Sequence, residues 1–287
     1  MLNEYLKSVF GCKVYKISIN AGFTCPNRDG TLGTGGCIFC SKGGSGEFAG
    51  DPGMTVTEQI SEGKDRVAAK IKDGKYIAYF QAFTNTYAGI DTLRRVYTEA
   101  IMHPDIVALS IATRPDCLPE EVLNLISELN NIKPVWIELG LQTIHEETAK
   151  YIRRGYDLSV YDKAVKELRN RNIEVIVHVI LGLPGESTED MVESVRYVCD
   201  SGATGIKLQL LHILRGTDLE QEYLAGKIHV LSEDEYMDIL KKCVSIIPDN
   251  VIIHRLTGDG DKKLLIAPLW SADKKHVLNR INKELGL

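Results

Sequence analysis

Apolar and polar positions alternate along this chain between two periods. Short runs dense in Val, Ile and Leu recur at KVYKISIN (13–20), YIAYFQAF (76–83), IVALSIAT (106–113), VWIELGLQ (135–142), IEVIVHVILG (173–182) and GIKLQLLHIL (205–214). Between them lie amphipathic stretches of helical spacing: Val56 to Lys72, Asp91 to Met102, Glu120 to Leu129, His145 to Arg153, Ser159 to Asn170 and Thr188 to Ser201. Strands apolar on both faces belong in a covered sheet, and strands separated by such helices read as parallel βα units. Six units predict an α/β fold, a partial (β/α)6 barrel.

Boundary residues support the same reading. Pro119-Glu120-Glu121 opens one helix with a proline and acidic residues, and Ser187-Thr188-Glu189-Asp190 opens another with charges that suit the helix dipole. Asp73-Gly74 and Ser201-Gly202 are turn residues at helix ends. After Leu214 the pattern loosens, with helices predicted near Asp218 to Leu224, Glu233 to Ile246 and Asp273 to Leu285 and a short strand at VIIHRL (251–256). The expected organisation is a core barrel over 1–215, with a special loop at 23–46, and an α-rich extension over 216–287 packing on it.

Composition changes this picture little: 287 residues, 44% hydrophobic and 25% charged, are those of a globular protein. The opening MLNEYLKSVFG lacks a basic start followed by an apolar core, and no run of about 18 apolar residues occurs, so neither a signal peptide nor a membrane span is expected, and the expected compartment is the cytoplasm. A net charge of −5 offers no overall positive field for nucleic acid, so any such substrate must meet a local basic face. Seven cysteines, an odd number, do not read as a disulfide framework.

Three of them, Cys25, Cys37 and Cys40, stand in a glycine-rich loop after the first strand, on the side where parallel barrels carry their chemistry. A structural zinc usually takes four ligands in pairs, and here there is one CxxC pair with no histidine before His103. Three thiolates suit an iron-sulfur cluster with one iron left open to bind a substrate or cofactor. The glycines at 33, 35, 36, 43, 44 and 46 allow the loop to wrap a bulky core, and Phe39 either shields a face of it or is a core aromatic. Zinc held by a non-catalytic interaction module is the reading from another class.

The motif with an aromatic at 39 resembles that of radical S-adenosylmethionine (SAM) enzymes. The wide gap in GFTCPNRDGTLGTGGCIFC, followed in order by FQAFTNTY, SIATRPD, ELGLQTIHEETAKYIRRGYD, HVILGLPGES and LLHILRGTDL, is similar to the YtqA/YhcC branch, related to the radical domain of the elongator catalytic subunit. The resemblance implies a 4Fe-4S cluster on Cys25, Cys37 and Cys40, whose open iron chelates SAM and whose electron cleaves it to a 5′-deoxyadenosyl radical. It implies SAM contacts from Thr84, Asn85 and Thr86, whose oxygens suit an ammonium, and from Arg114. For the carboxylate it implies Gln142 and Arg154, with Arg153 as the competing choice, and for the adenine the backbone at Leu181 and Gly182. Glu138, two residues before Gly140 on its strand, is expected inside the barrel on the same face as Gln142, where a buried acid needs a partner. His178 and Cys117 are candidate catalytic residues.

For the substrate, the resemblance implies transfer RNA modified at the C5 side chain of its wobble uridine, converting carboxymethylaminomethyl-uridine to aminomethyl-uridine. A reduced flavodoxin or ferredoxin is the implied electron donor, and a SAM-dependent methyltransferase the implied downstream partner. A small metabolite or porphyrin is the alternative substrate. Lys13, Lys16, Lys42, Lys207, Arg215, Arg255, Lys262, Lys263, Lys274 and Lys275 are candidates for a basic rim, and Tyr76, Tyr79, Tyr87 and Trp270 for stacking an extruded base.

Overall fold

The computed structural model describes residues 1–44, 46–71, 74–258 and 260–286. Strands β1 (Val14–Ile19), β2 (Lys75–Phe80), β3 (Ile106–Thr113), β4 (Val135–Gln142), β5 (Glu174–Leu181) and β6 (Gly205–Leu210) lie side by side in chain order, all parallel. The chain then forms the two-residue β7 (Ile213–Leu214), while β8 (Ile252–Arg255) returns to pair parallel with β6 at the sheet edge. β9 (Leu265–Ala267) pairs antiparallel with β7 outside that sheet. The result is a curled seven-stranded half-barrel, an α/β fold as predicted.

Helices α1 (Leu2–Phe10), α2 (Val56–Val67), α3 (Ile90–Met102), α4 (Glu120–Asn130), α5 (Glu146–Tyr151), α6 (Leu158–Asn170), α7 (Thr188–Asp200), α8 (Asp218–Leu224), α9 (Glu233–Ser245) and α10 (Lys274–Leu285) complete the fold. α2, α3, α4, α6 and α7 pack against strands of the sheet, and their apolar stripes join the strand side chains in the main core. Ser187 caps α7, accepting from the Asp190 amide while Asp190 reaches back, as its sequence predicts. The α-helix expected to Lys72 ends at Val67 in a short 3-10 turn over Ala68–Lys70, and Asp73 of the expected turn lies outside the described residues. The run 205–214 is broken because Leu211 still donates its amide to Leu181 O, at 2.9 Å, before the chain leaves the sheet to pair with β9.

α1 lies outside the predicted elements. Its Leu6 is buried against Val14, Ile77, Ala108, Trp136 and Ile176, Tyr5 donates to Glu174 at 2.9 Å, and Gly11 at φ 67 ends the helix. This apolar plug fills the curl at the N-terminal ends of the strands, and the described cavity opens at their C-terminal ends. None of the described helices is long and apolar enough to cross a membrane.

Candidate active site

The loop after β1 closes on itself. The amides of Leu32 and Gly33 donate to Pro26 O at 2.8 and 3.2 Å, and the Gly36 amide donates to Asn27 O at 2.8 Å, so the chain from Pro26 to Gly36 is a lobe that returns Cys37 to Cys25. The Cys40 amide donates to Cys37 O at 3.0 Å, making the CxxC a tight turn. Ile38 anchors that turn in a satellite core with Ile152, Ile180, Leu211 and Leu219, and Phe39 packs against the same core while also facing the cavity. Phe39 is thus the core aromatic that one reading expects, and it also forms part of the cavity wall.

Cys25, Cys37 and Cys40 line one cavity of about 250 Å³ at the strand C-terminal ends. Among the described residues, the one His/Cys/Asp/Glu group with ligand atoms all within 4.8 Å of one another is His145, Asp190 and Glu193, so the three sulfurs stand too widely for a single ion. Three half-buried thiols spread around one cavity instead suit separate corners of a polynuclear iron-sulfur group, which they could hold. Burial pushes the Cys37 thiol up to about 11, with neighbouring Cys40 adding to the shift; a thiolate there needs the metal charge that ligation supplies.

The predicted cofactor residues divide into two sets. Thr84, Arg114, Glu138, Gln142 and Arg154 line the cavity with the cysteines. Gln142 sits at φ 70, and its buried Oε1 has no hydrogen-bond partner among the described residues, so the atom it leaves open is an acceptor, which suits an ammonium and not the carboxylate expected for this residue. Arg114 clasps Asp116 through Nε and Nη2 at 2.9 and 2.7 Å and donates to Arg154 O. Arg154, 2% exposed, directs donors to Tyr156 O, Thr143 O and Glu146. Each guanidinium keeps two of its five N–H groups for a ligand. The competing Arg153 points outward to Asp218.

Other predicted contacts face elsewhere. Asn85 donates to Ala112 O at 2.9 Å, and its buried Oδ1 is a second acceptor without a partner among the described residues. Thr86 turns to Thr113 and Cys117 O, and together with Cys117 it lines a separate groove beside α4 and α6. Leu181 is wholly buried in the main core with its carbonyl accepting from Leu211, and the Gly182 amide meets Met191 Sδ at 3.1 Å; cavity contact at this level comes from Ile180 and Leu211.

Below the cysteines a polar belt crosses the curl. Glu138, fully buried, accepts from Lys16 at 2.6 Å and Ser110 at 2.5 Å on Oε1, and from His178 at 2.7 Å and Lys207 on Oε2. Four donors fill its lone-pair sites, so it is committed to the protein and leaves no oxygen for a cofactor. Burial would raise this acid, but Lys16, Lys207 and His178 overcome it and hold the carboxyl well below the usual range. Since the carboxylate accepts, His178 Nε2 carries the hydrogen and Nδ1 accepts from Gln209 Nε2 at 3.1 Å. Burial, helped by Lys207 and opposed by Glu138, lowers His178 to about 4, leaving it neutral. Burial likewise lowers Lys207 although Glu138 pulls it back up.

The belt corrects the predicted basic rim. Lys207 is buried and Lys16 turns inward over the rings of Tyr79 and Trp136, because Lys207 stands in register with His178 and two residues before inward Gln209, and Lys16 stands in register with inward Ile77. Lys13, preceding β1, stands at the opposite end from the cavity. Tyr76 is buried in the main core and Trp270 donates to Leu231 O and packs against Tyr236, so these two rings are structural, while Tyr79, mostly buried, accepts from Lys207 and lines the cavity. Asn27, Arg28 and Tyr156 join the site although the sequence reading does not single them out; the polar pair in CPNRDG, two and three residues after Cys25, is the available signal.

The Radical SAM superfamily profile matches residues 23–198 and the Radical_SAM C-terminal domain profile residues 203–286. The chain is 48% identical to the uncharacterized protein YtqA of Bacillus subtilis over 99% of its length and 88% of that protein. It is 29% identical to a tRNA uridine(34) acetyltransferase of Methanocaldococcus infernus, over 63% of this chain and 34% of that one. The solved structure of the Methanocaldococcus infernus Elp3 superposes with a TM-score of 0.68 at 18% identity, covering 93% of this chain and 63% of that one, and shows the shared fold. Membership in this superfamily implies a 4Fe-4S cluster, SAM and an electron donor. With both profiles and near full-length similarity in agreement, the chain belongs to the radical SAM superfamily and, within it, to the family of YtqA and YhcC.

Proposed function

We propose that this radical SAM enzyme modifies the C5 side chain of the wobble uridine of transfer RNA, at the carboxymethylaminomethyl-to-aminomethyl step. The observation that carries the cofactor part is the three cysteines lining one cavity together with Gln142, whose buried Oε1 has no partner among the described residues. Cys25, Cys37 and Cys40 hold the cluster; Gln142 and Thr84 accept from the SAM ammonium, and the spare donors of Arg114 and Arg154 take its carboxylate. When bound, cluster and SAM together supply an electron and a hydrogen-abstracting radical. The protein excludes water with Phe39, Ile152, Ile180 and Leu211, and keeps His178 neutral at the cavity floor, where the ring, with both nitrogens committed, holds Gln209 to orient substrate. The electron comes from a reduced flavodoxin or ferredoxin, and a SAM-dependent methyltransferase acts on the product. The transfer RNA reading is supported by the named activity of the acetyltransferase relative and by exposed Lys42, Arg215, Lys262 and Lys263, since a local basic face lets an acidic protein meet a polyanion.

Anaerobic reconstitution should give a brown protein that cleaves SAM on reduction, and Cys37→Ala should lose both colour and cleavage; cleavage retained in that variant would refute the ligand assignment. For the substrate, wobble uridines of transfer RNA from cells with and without the gene are compared by mass spectrometry. The proposal expects carboxymethylaminomethyl-uridine to accumulate without the gene. An unchanged nucleoside profile rejects transfer RNA as the substrate.

A further inference from the structure

The eleven-residue separation of Cys25 and Cys37 places two donors that a short loop would lack. Asn27, 5% exposed, directs its Nδ2 to Arg153 O at 2.7 Å and lies 3.5 Å from Cys37 Sγ. Arg28 donates Nη2 to Cys40 O at 3.0 Å and to Ser41 O, and its guanidinium lies over the Phe83 ring at 5.5 Å. Among the described residues Arg28 makes no ion pair: carbonyls hold it beside Cys40, and the opposing carboxylate in the same wall, Glu47, bonds Ser41 Oγ and acts on Cys40 less strongly than the guanidinium. The seat is built for it. Gly36 has φ +74, and a Cβ there would stand 3.0–3.1 Å from the guanidinium, so a larger residue would displace the charge.

We propose that the lobe from Pro26 to Gly36 raises the reduction potential of the cluster, through the Asn27 amide on the Cys37 sulfur and the Arg28 charge beside Cys40. This rests on the reading that Cys25, Cys37 and Cys40 hold a 4Fe-4S cluster. Reduction adds one electron to the cluster, and a hydrogen bond to a ligand sulfur or a nearby cation stabilises that added negative charge. Asn27 and Arg28 are positioning residues, acting through the ligands and not on substrate. The lobe thereby brings the cluster within reach of a weaker electron donor than the bare motif requires.

The test uses the full chain, reconstituted anaerobically, with iron and sulfide counted and the midpoint potential titrated by electron paramagnetic resonance. Wild type is compared with Arg28→Lys, Arg28→Gln and Asn27→Asp. The expected result is a negative shift for R28Q and N27D at unchanged cluster content, with R28K close to wild type. Wild-type potentials in loaded R28Q and N27D would overturn the proposal. So would an equal shift in R28K and R28Q, which would make Arg28 a mere clip between loop ends. Should R28Q fail to load, isosteric N27D still decides. A wild-type chain that binds no iron would instead overturn the underlying ligand assignment.

Discussion

At the residue scale the belt around Glu138 is the feature most sensitive to substitution, since removing one partner of a buried ion cluster typically costs about 3–5 kcal/mol. Its effect on pH dependence follows from His178. The unfolded ring titrates near its ordinary value, 6.5, and the folded ring near 4, because burial and Lys207 outweigh Glu138. Between these values the unfolded chain binds a proton that the folded chain refuses, so stability falls as pH drops from about 6.5 to 4 and is fully present above that window. His178→Gln keeps a donor for Glu138 and removes the titration. Urea unfolding across this range should therefore give a shallower acid loss for H178Q than for wild type; identical slopes would show that His178 titrates freely. The groups facing the ring, Glu138, Lys207, Gln209 and Arg255, are retained in both proteins.

At the scale of elements, α2 is seated on β1 through Gly63, where an added Cβ would lie 2.3 Å from Ile17 Cγ2. Helix propensity alone favours alanine over glycine by about 1 kcal/mol. Ile17 is a β-branched residue in a strand with few alternative rotamers, and it is 3% exposed, so it cannot yield. Overpacking of this kind costs about 1–3 kcal/mol, and Gly63→Ala should lower the denaturation midpoint despite its better propensity; a raised midpoint would mean that α2 slides at no cost. The same packing logic explains what the sequence reveals. β3 and β4 match their predicted spans because both faces are largely buried and the apolar run ends at Arg114 and Thr143, polar residues that stay buried past the strand ends. α1 escapes prediction because Leu2, Tyr5, Leu6 and Phe10 mark out little more than two turns, too short a stretch to establish a period, and β9 because three residues carry none. The cysteines are legible from spacing. Lys16 and Lys207 read as rim residues because lysine is usually exposed, although each stands within an apolar run in register to point inward. Whether Thr86 or Leu181 faces the cavity depends on turns and strand pairing that no local pattern encodes.

At the scale of the whole molecule, an acidic chain with a net charge of −5 must confine attraction for RNA to one end. The plug of α1 closes the N-terminal end of the curl, and the cavity opens at the other, beside Leu214 and Gly258. There the Arg215 amide bonds Leu264 O at 2.7 Å, fixing the turn that carries exposed Lys262 and Lys263 next to the mouth. Lys13 serves as an internal control, exposed but at the closed end. If transfer RNA is bound over the mouth, each phosphate deprived of its lysine lowers the slope of log affinity against log salt by about one. Lys262→Ala and Lys263→Ala should each weaken binding and flatten that slope, while Lys13→Ala should leave both unchanged. Equal effects at the two ends would show a diffuse attraction without a docking face. No effect at either end would mean that this rim does not meet RNA, leaving the cavity to a substrate small enough to enter it alone.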